Sequence, residues 1–445
     1  MNTLTSTMSP TATWNDDPID VANPLPLSSL QRRLRGRLVE QLTALRECSL
    51  VLEDADGSLA LGDGISRLDS TLCCRIRVIH PDFYVAVATQ GSVGAGESYM
   101  DGHWRCDDLV QLVRVLVRNR DLLDGMETRG VARIGAWALK TWHALQRNTR
   151  QGSRRNIAAH YDLGNALFEL FLDNNMMYSS ALFAAPDESL ERASTRKLDR
   201  ICQKLDLRKD EHVIEIGTGW GGFAIHAARH YGVRVTTTTL SREQRDLAQR
   251  RIAEAGLSDR IDVLLQDYRD LQGTYDKLVS IEMIEAVGHR YLDAFFGQCS
   301  RLLVPDGSMV LQAIVMPERG YPAYLRSVDF LQRYIFPGGC VPSLGAMLDS
   351  VARATDLRFV HAEDLAPHYA ETLRRWRIAF HARINDVRQL GYSETFLRMW
   401  HYYLCYCEAA FEERYIGVLQ VQFDKPECRR DPIELSRRAA GACTL

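Results

Sequence analysis

Residues 215–222 read EIGTGWGG, the densest glycine cluster in the chain. Gly217, Gly219 and Gly222 fit G-x-G-x-x-G, the spacing of a loop wrapped round a pyrophosphate, and Gly221 adds a tighter G-x-G-x-G. Either match alone is weak, so the flanks decide. HVIEIG (212–217) is an apolar strand running into the loop, and Phe223 to Tyr231 reads as a helix leaving it. Strand, glycine turn and helix in succession predict a nucleotide-type loop in a doubly wound sheet.

The pattern continues outward. RVTTTTL (234–240) is β-branched, and SREQRDLAQRRIAEAG follows as a helix with Ser241 as its N-cap. IDVLLQD (261–267), KLVSIEM (277–283) and GSMVLQAIV (307–315) are further strands. Alternating β and α predicts a parallel sheet with helices on both faces. Two long helices follow, around 366–387 and 393–414. In the second, Phe396, Trp400, Tyr403, Leu404, Cys407 and Phe411 repeat at helical spacing and predict a core-facing side. Upstream, residues 31–128 form a smaller unit. A helix near 28–46 leads into SLVLEDADGSLALGD and CCRIRVIHPDFYVAVATQ, read as short antiparallel strands. GESYMDGHWRCDDLVQLVRVLVRN then enters a helix at Asp107 or Asp108.

Which ligand does the loop take? A nicotinamide dinucleotide needs an acid at the end of the second strand to hold its ribose. Here that strand ends in Thr236, Thr237, Thr238 and Thr239, and the next acid, Glu243, lies inside a helix. The acid instead precedes the loop, as Glu215. A carboxylate there suits a cation or an amine, and S-adenosylmethionine carries both a sulfonium and an α-amino group. Asp267 and Tyr268, just after the third strand, come within reach of an adenine. The loop is therefore assigned to S-adenosylmethionine.

Composition is that of a globular protein, 46% apolar and 25% charged over 445 residues, long enough for two domains. No uninterrupted apolar run reaches the roughly 18 residues of a membrane span. Residues 1–27 lack a basic start and an apolar core, and read as a disordered tail rather than a signal peptide. Eleven irregularly spaced cysteines, with no pair of C-x-x-C motifs, point to a reducing cytoplasm and to no metal site. The net charge of −3 conceals one asymmetry: Arg129 to Arg155 holds seven basic residues, no acidic one, and Trp137 and Trp142. Such a segment reads as a helix lying on an anionic membrane surface. Nucleic acid is not among the expected partners.

Several further stretches carry a family resemblance. HYDLGN (160–165), MYSSALF (177–183), TLSREQ (239–244), LLQDYRDL (264–271), SIEMIEAVG (280–288) and RYIFPGGCVPS (333–343), with the glycine loop, stand in the order seen in cyclopropane-fatty-acyl-phospholipid synthases. The mycolic acid cyclopropane synthases share much of the set. The likeness runs from about 155 to the end, and GESYMDGHW extends it into the N-terminal unit of the phospholipid enzymes. It implies an α/β fold: a doubly wound class I methyltransferase (Rossmann-like) domain with a smaller N-terminal α+β domain. The expected boundaries are a tail over 1–27, an N-terminal lipid-associated domain over 28–128, a basic amphipathic linker over 129–155 and the catalytic domain over 156–445.

The resemblance also assigns residues. Tyr178 and Ser179 contact the amino-acid end of S-adenosylmethionine, and Gly217 and Gly219 let the backbone approach it beside Glu215. Thr239, Leu240 and Gln244 hold the ribose, and Asp267 and Tyr268 flank the adenine. Family members bind a bicarbonate ion as base. The positions of its shell here are Ser180, Glu285, Gln312, Ile314 and Tyr369. Serine stands where the family has cysteine, glutamine where it has histidine, and Ala286 follows Glu285 where the family has histidine. Ser180, Gln312 and Tyr369 remain donors to an anion.

The implied reaction is attack by the alkene of an unsaturated phospholipid acyl chain on the sulfonium methyl, giving a carbocation shielded from water. Tyr291, Trp376, Tyr402 and Tyr406 are candidate aromatic neighbours for that charge. Proton loss from the new methyl closes a cyclopropane, the first expectation; loss elsewhere leaves a methylene- or methyl-branched chain. The expected setting is cytoplasmic and peripheral, on the inner membrane face with anionic lipid preferred, with a homodimer as a candidate assembly.

Overall fold

The structure, a computed structural model, describes residues 23–64, 72–121 and 164–429. The basic segment 129–155, most of the N-terminal tail and residues 160–163 of HYDLGN lie outside the described residues. The chain divides into two compact units: the residues up to 129 with 374–406, and 130–373 with 407–445.

The first unit carries a four-stranded sheet of β1 (Cys48–Asp54), β2 (Gly57–Leu61), β3 (Leu72–Val78) and β4 (Trp104–Cys106), in the order β2-β1-β3-β4. Two of its pairings are antiparallel, but β1 and β3 run parallel. The second half of CCRIRVIHPDFYVAVATQ is not a strand. It opens the helix Asp82–Met100, with Pro81 at its N-cap. Proline has no N–H for a sheet ladder and suits a helix start, and the alternation beyond it rests partly on alanine, a strong helix former. Asp108 caps the helix Leu109–Arg118 by accepting from the Gln111 N–H at 2.9 Å.

The aromatic face of the C-terminal helix Glu394–Glu412 is buried, as its periodicity predicts, with Trp400, Tyr403 and Leu404 at 3% exposure or less. What it packs on was not legible. Its residues up to 406 belong to the first unit, where Tyr99 meets Tyr402 at 5.5 Å and Arg398 donates to the Met100 carbonyl at 3.0 Å. The sequence reading placed this stretch in the catalytic unit. Trp376, Tyr402 and Tyr406 go with it.

The second unit is built on a seven-stranded sheet. Its strands are β5 (His212–Ile216), β6 (Arg234–Thr239), β7 (Ile261–Leu265), β8 (Tyr275–Ile281), β9 (Leu303–Val315), β10 (Arg358–Asp364) and β11 (Gly417–Asp424), in the order β10-β11-β9-β8-β5-β6-β7. The five from β5 to β9 are parallel, as expected. The sheet is nevertheless mixed, because β11 inserts antiparallel to both β9 and β10. Strand order reverses between β5 and β8, and the crevice at their carboxyl ends is where such sheets take ligands.

The threonine run of β6 explains itself in this setting. All four residues are buried. Threonine supplies the β-branched shape of valine plus a hydroxyl. Thr237 donates to Glu215 at 2.6 Å, Thr239 to Gln244 at 2.8 Å, and Thr236 pairs with His212 at 2.9 Å. Ser241 caps the next helix, Arg242–Glu254, as expected.

Gly222, the last glycine of the loop, is there for space rather than backbone freedom. A Cβ on it would lie 2.5 Å from the Asn175 carbonyl oxygen and 2.6 Å from the Met177 sulfur. Gly222→Ala is expected to cost about 1–3 kcal/mol by overpacking and to push the 175–177 segment away from the glycine loop. Denaturant unfolding with and without cofactor checks this. Unchanged stability and unchanged affinity would show that the segment yields freely.

Candidate active site

The glycine loop, the segment Met176–Ser179, the ends of β6 and β8 and the turn after β7 line an open cleft. All ten residues named from sequence for the cofactor lie in its wall: Tyr178, Ser179, Glu215, Gly217, Gly219, Thr239, Leu240, Gln244, Asp267 and Tyr268. Gly217 and Gly219 take positive φ, 105° and 51°, a region that disfavours any side chain. A Cβ on Gly219 would meet no protein atom within 4 Å.

Several wall residues are held from behind. Asp173 accepts from the Asn175 and Met177 N–H groups at 3.0 and 3.1 Å, shaping the turn that presents Tyr178. Phe168 packs between Tyr178 (5.2 Å) and Trp220 (4.9 Å), which ties that turn to the glycine loop. Arg251 donates to the carbonyls of Trp220 and Asn174 at 2.6 and 2.8 Å, across the same seam. Asp267 is clamped by Arg269 at 2.6 Å, so its carboxylate is a fixed acceptor at the cleft edge.

Sequence reasoning missed Lys197. It is fully buried in the helix Leu190–Leu205 and donates to the Ser179 hydroxyl at 2.7 Å. Burial pulls its ammonium down to about 8, against the opposing pull of Glu282, Asp173 and Glu215. Burial likewise pushes the Glu215 carboxyl up to about 8, although Thr237 and Lys197 favour its charge.

Glu282 was missed as well. It follows β8, lines the cleft, and has φ +48°, left-handed for a residue with a side chain. Three of the residues expected to hold an anion converge on it. Its Oε1 accepts from the Ser180 N–H at 2.9 Å and from Gln312 Nε2 at 2.7 Å; its Oε2 accepts from the Tyr369 hydroxyl at 2.7 Å. The Ser180 hydroxyl, expected as an anion donor, turns instead to the Ala181 carbonyl at 3.1 Å. Glu285 and Ile314 pair with each other, Ile314 N–H donating to Glu285 Oε1 at 2.6 Å, while Glu285 Oε2 is buried without a partner. Burial, and then the charge of Glu282, push Glu285 up to about 8. None of Ser180, Glu285, Gln312, Ile314 and Tyr369 is in the cleft wall; Glu282 is.

A doubly wound sheet with this crevice defines a class I S-adenosylmethionine-dependent methyltransferase. The comparisons agree and go further. Residues 148–421 match the family model described as mycolic acid cyclopropane synthetase. The tuberculostearic acid methyltransferase UfaA1 of Mycobacterium tuberculosis is 39% identical over 403 residues, 89% of this chain and 92% of its own. The cyclopropane-fatty-acyl-phospholipid synthase of Escherichia coli is 38% identical over 359 residues, 79% of this chain and 87% of its own. Among solved structures, the mycolic acid cyclopropane synthase CmaA1 complexed with SAH and CTAB superposes with a TM-score of 0.57 at 33% identity, over 61% of this chain and 98% of its own. The chain belongs to this family of cyclopropane synthases and related fatty-acyl methyltransferases.

The buried charges predict a pH dependence. Glu215 is mostly neutral below its value of about 8. A cofactor carrying a sulfonium and an ammonium favours its ionised form, so binding expels a proton. Lys197 also titrates near 8, and the same cations favour its neutral form. Both act with one sign: affinity for S-adenosylmethionine rises as pH is raised from 6 toward 8, by up to about tenfold per unit for each proton released, and levels off above. Titration calorimetry in two buffers of different ionisation enthalpy counts the protons. Glu215→Gln should weaken binding and flatten the rise; a flat wild-type profile would contradict the assignment.

Proposed function

We propose that this chain transfers the methyl of S-adenosylmethionine to the double bond of an unsaturated acyl chain of membrane phospholipid, and that proton loss leaves a methyl-branched olefin or methylene chain rather than a ring. When bound, the cofactor supplies an electrophilic sulfonium methyl. The residues of the cleft supply the rest. Tyr178, Ser179 and Glu215 orient the amino-acid end. Gly217 and Gly219 admit it close to the backbone. Thr239, Leu240, Gln244, Asp267 and Tyr268 receive the ribose and adenine. The alkene attacks the methyl carbon, a C–C bond forms as the C–S bond breaks, and the positive charge passes to the neighbouring chain carbon. Loss of a proton from the chain then gives a methyl-branched olefin; after a hydride shift, loss from the methyl gives a methylene branch.

One observation carries the choice of product. Ser180 and Gln312 stand where the resemblance implies cysteine and histidine for ring formers, and both donate to the Glu282 carboxylate where it implies a bound ion. The relative aligned over 403 residues supports the same reading, being named for tuberculostearic acid, a methyl-branched acyl chain. Ring closure is the second reading, favoured by the Escherichia coli relative, named a cyclopropane-fatty-acyl-phospholipid synthase.

Access to the acyl chain belongs to the same proposal. Among the described residues no helix is long and apolar enough to cross a membrane. The basic, tryptophan-bearing segment 129–155 suits docking on anionic phospholipid at the cytoplasmic face.

Expression in a host rich in unsaturated phospholipid, fed methionine with a fully deuterated methyl, tests this by gas chromatography–mass spectrometry. A methyl-branched olefin keeps every deuterium; a methylene chain or a ring loses one, and ozonolysis tells these two apart. The expected result is a branched olefin or methylene acid absent from the empty-vector host. Cyclopropane as the main product would establish the second reading.

A further inference from the structure

The resemblance implies a bicarbonate ion as the proton acceptor, within a shell of Ser180, Glu285, Gln312, Ile314 and Tyr369. The residues present do not fit that ion. The Ser180 N–H, the Gln312 amide and the Tyr369 hydroxyl all donate to Glu282. The Ile314 N–H donates to Glu285, and the Ser180 hydroxyl turns to a carbonyl. An added anion would have to strip these donors from two carboxyl groups and lie beside both. A carboxylate offers the same acceptor end as bicarbonate: two oxygens in a plane on one carbon.

We propose that the Glu282 carboxylate stands in the place of the bicarbonate ion and is this chain's own proton acceptor. The proposal rests on the methyl-transfer reading above. Of the cluster, Glu282 alone lines the cleft that holds the cofactor residues, so it alone faces the reacting carbons. Its carboxylate oxygen takes the proton, and the C–H electron pair becomes the new C=C bond, or the third bond of the ring under the second reading. Glu282 is left as a neutral acid, which returns its proton to water when the cleft reopens. No ion or further reactant is needed.

The surroundings aim and hold this carboxylate. Glu282 keeps a left-handed backbone, φ +48°, where glycine would be unstrained. The Gln312 amide cannot turn over. The Lys204 ammonium, which has only donors, gives to Gln420 Oε1 at 2.7 Å, and Gln420 Nε2 gives to Gln312 Oε1 at 3.0 Å. The NH₂ of Gln312 is thereby committed to Glu282. Gln312 and Gln420 are paired across β9 and β11 and fully buried. Enclosure by protein raises the Glu282 carboxyl above its usual range, toward what a base working near neutrality requires. Ser180, Gln312 and Tyr369 are positioning residues.

The test uses the full-length chain, vesicles of unsaturated phosphatidylglycerol, and buffer either purged of carbon dioxide or supplemented with bicarbonate. Wild-type turnover is expected to be the same in both, within twofold. Glu282→Gln should lose at least a hundredfold in turnover while S-adenosylmethionine affinity, which also reports folding, changes only a few-fold. Glu282→Gly relieves the backbone and frees the three donors, so added bicarbonate should restore part of its activity and leave Glu282→Gln unaffected. An active wild type that fails without bicarbonate, or a Glu282→Gln variant with normal turnover, would overturn this proposal and leave methyl transfer standing. A folded, cofactor-binding wild type inactive on every unsaturated phospholipid would overturn both.

Discussion

A carboxylate partly withdrawn from water must be given hydrogen bonds, and Glu282 receives three, from three separate parts of the catalytic unit. One comes from the segment after Tyr178-Ser179, one from near the carboxyl end of β9, and one from the first turn of the helix Ala366–Ala382. Leaving such donors unmatched would cost about 1–3 kcal/mol each. The requirement therefore draws together the segment after Ser179, the sheet and the start of the helix Ala366–Ala382. It also accounts for the polar line inside the sheet: Gln312 needs Gln420, and Gln420 needs Lys204. Lys204 in turn is held by Glu363 on β10 at 2.6 Å. The two antiparallel strands thus do more than widen the sheet; β11 carries Gln420 and β10 carries Glu363.

Around the cleft the same physics shifts a set of enclosed groups toward their neutral forms. Burial raises Glu215, Glu282 and Glu285 and lowers Lys197. Raised carboxyls favour folding at low pH and withdraw that support as pH climbs through their folded values. A cofactor bearing two positive centres, bound at Glu215 as proposed, would supply the missing counter-charge. Cofactor binding and site stability are in this way coupled through the ionisation of a few buried groups.

The sequence made the glycine loop, the five parallel strands and ten residues of the cleft wall legible, because each combines a local pattern with a place in the β–α order. The strand β11 was missed although GVLQVQFD alternates in part, and β10 because RFVHAED is largely polar. The helix in HPDFYVAVATQ was misread because a brief alternation outweighed Pro81. Lys197 stands among several basic residues of one helix, and nothing local tells a buried lysine from a solvated one. Glu282 carried the clearest overlooked signal: an acid directly after an apolar strand, at the carboxyl edge of the sheet. Resemblance drew attention to Glu285, three residues on, because that is the acid the family motif contains. Of the five residues named for the bicarbonate shell, Ser180, Gln312 and Tyr369 donate to Glu282, and Ile314 donates to Glu285.

The most direct measurement is a crystal structure of the chain grown in bicarbonate with S-adenosylhomocysteine bound. The account predicts the Glu282 carboxylate within hydrogen-bond distance of the Ser180 N–H, Gln312 Nε2 and the Tyr369 hydroxyl, with no separate anion among them. A planar ion on those three donors, with Glu282 turned away, would contradict it.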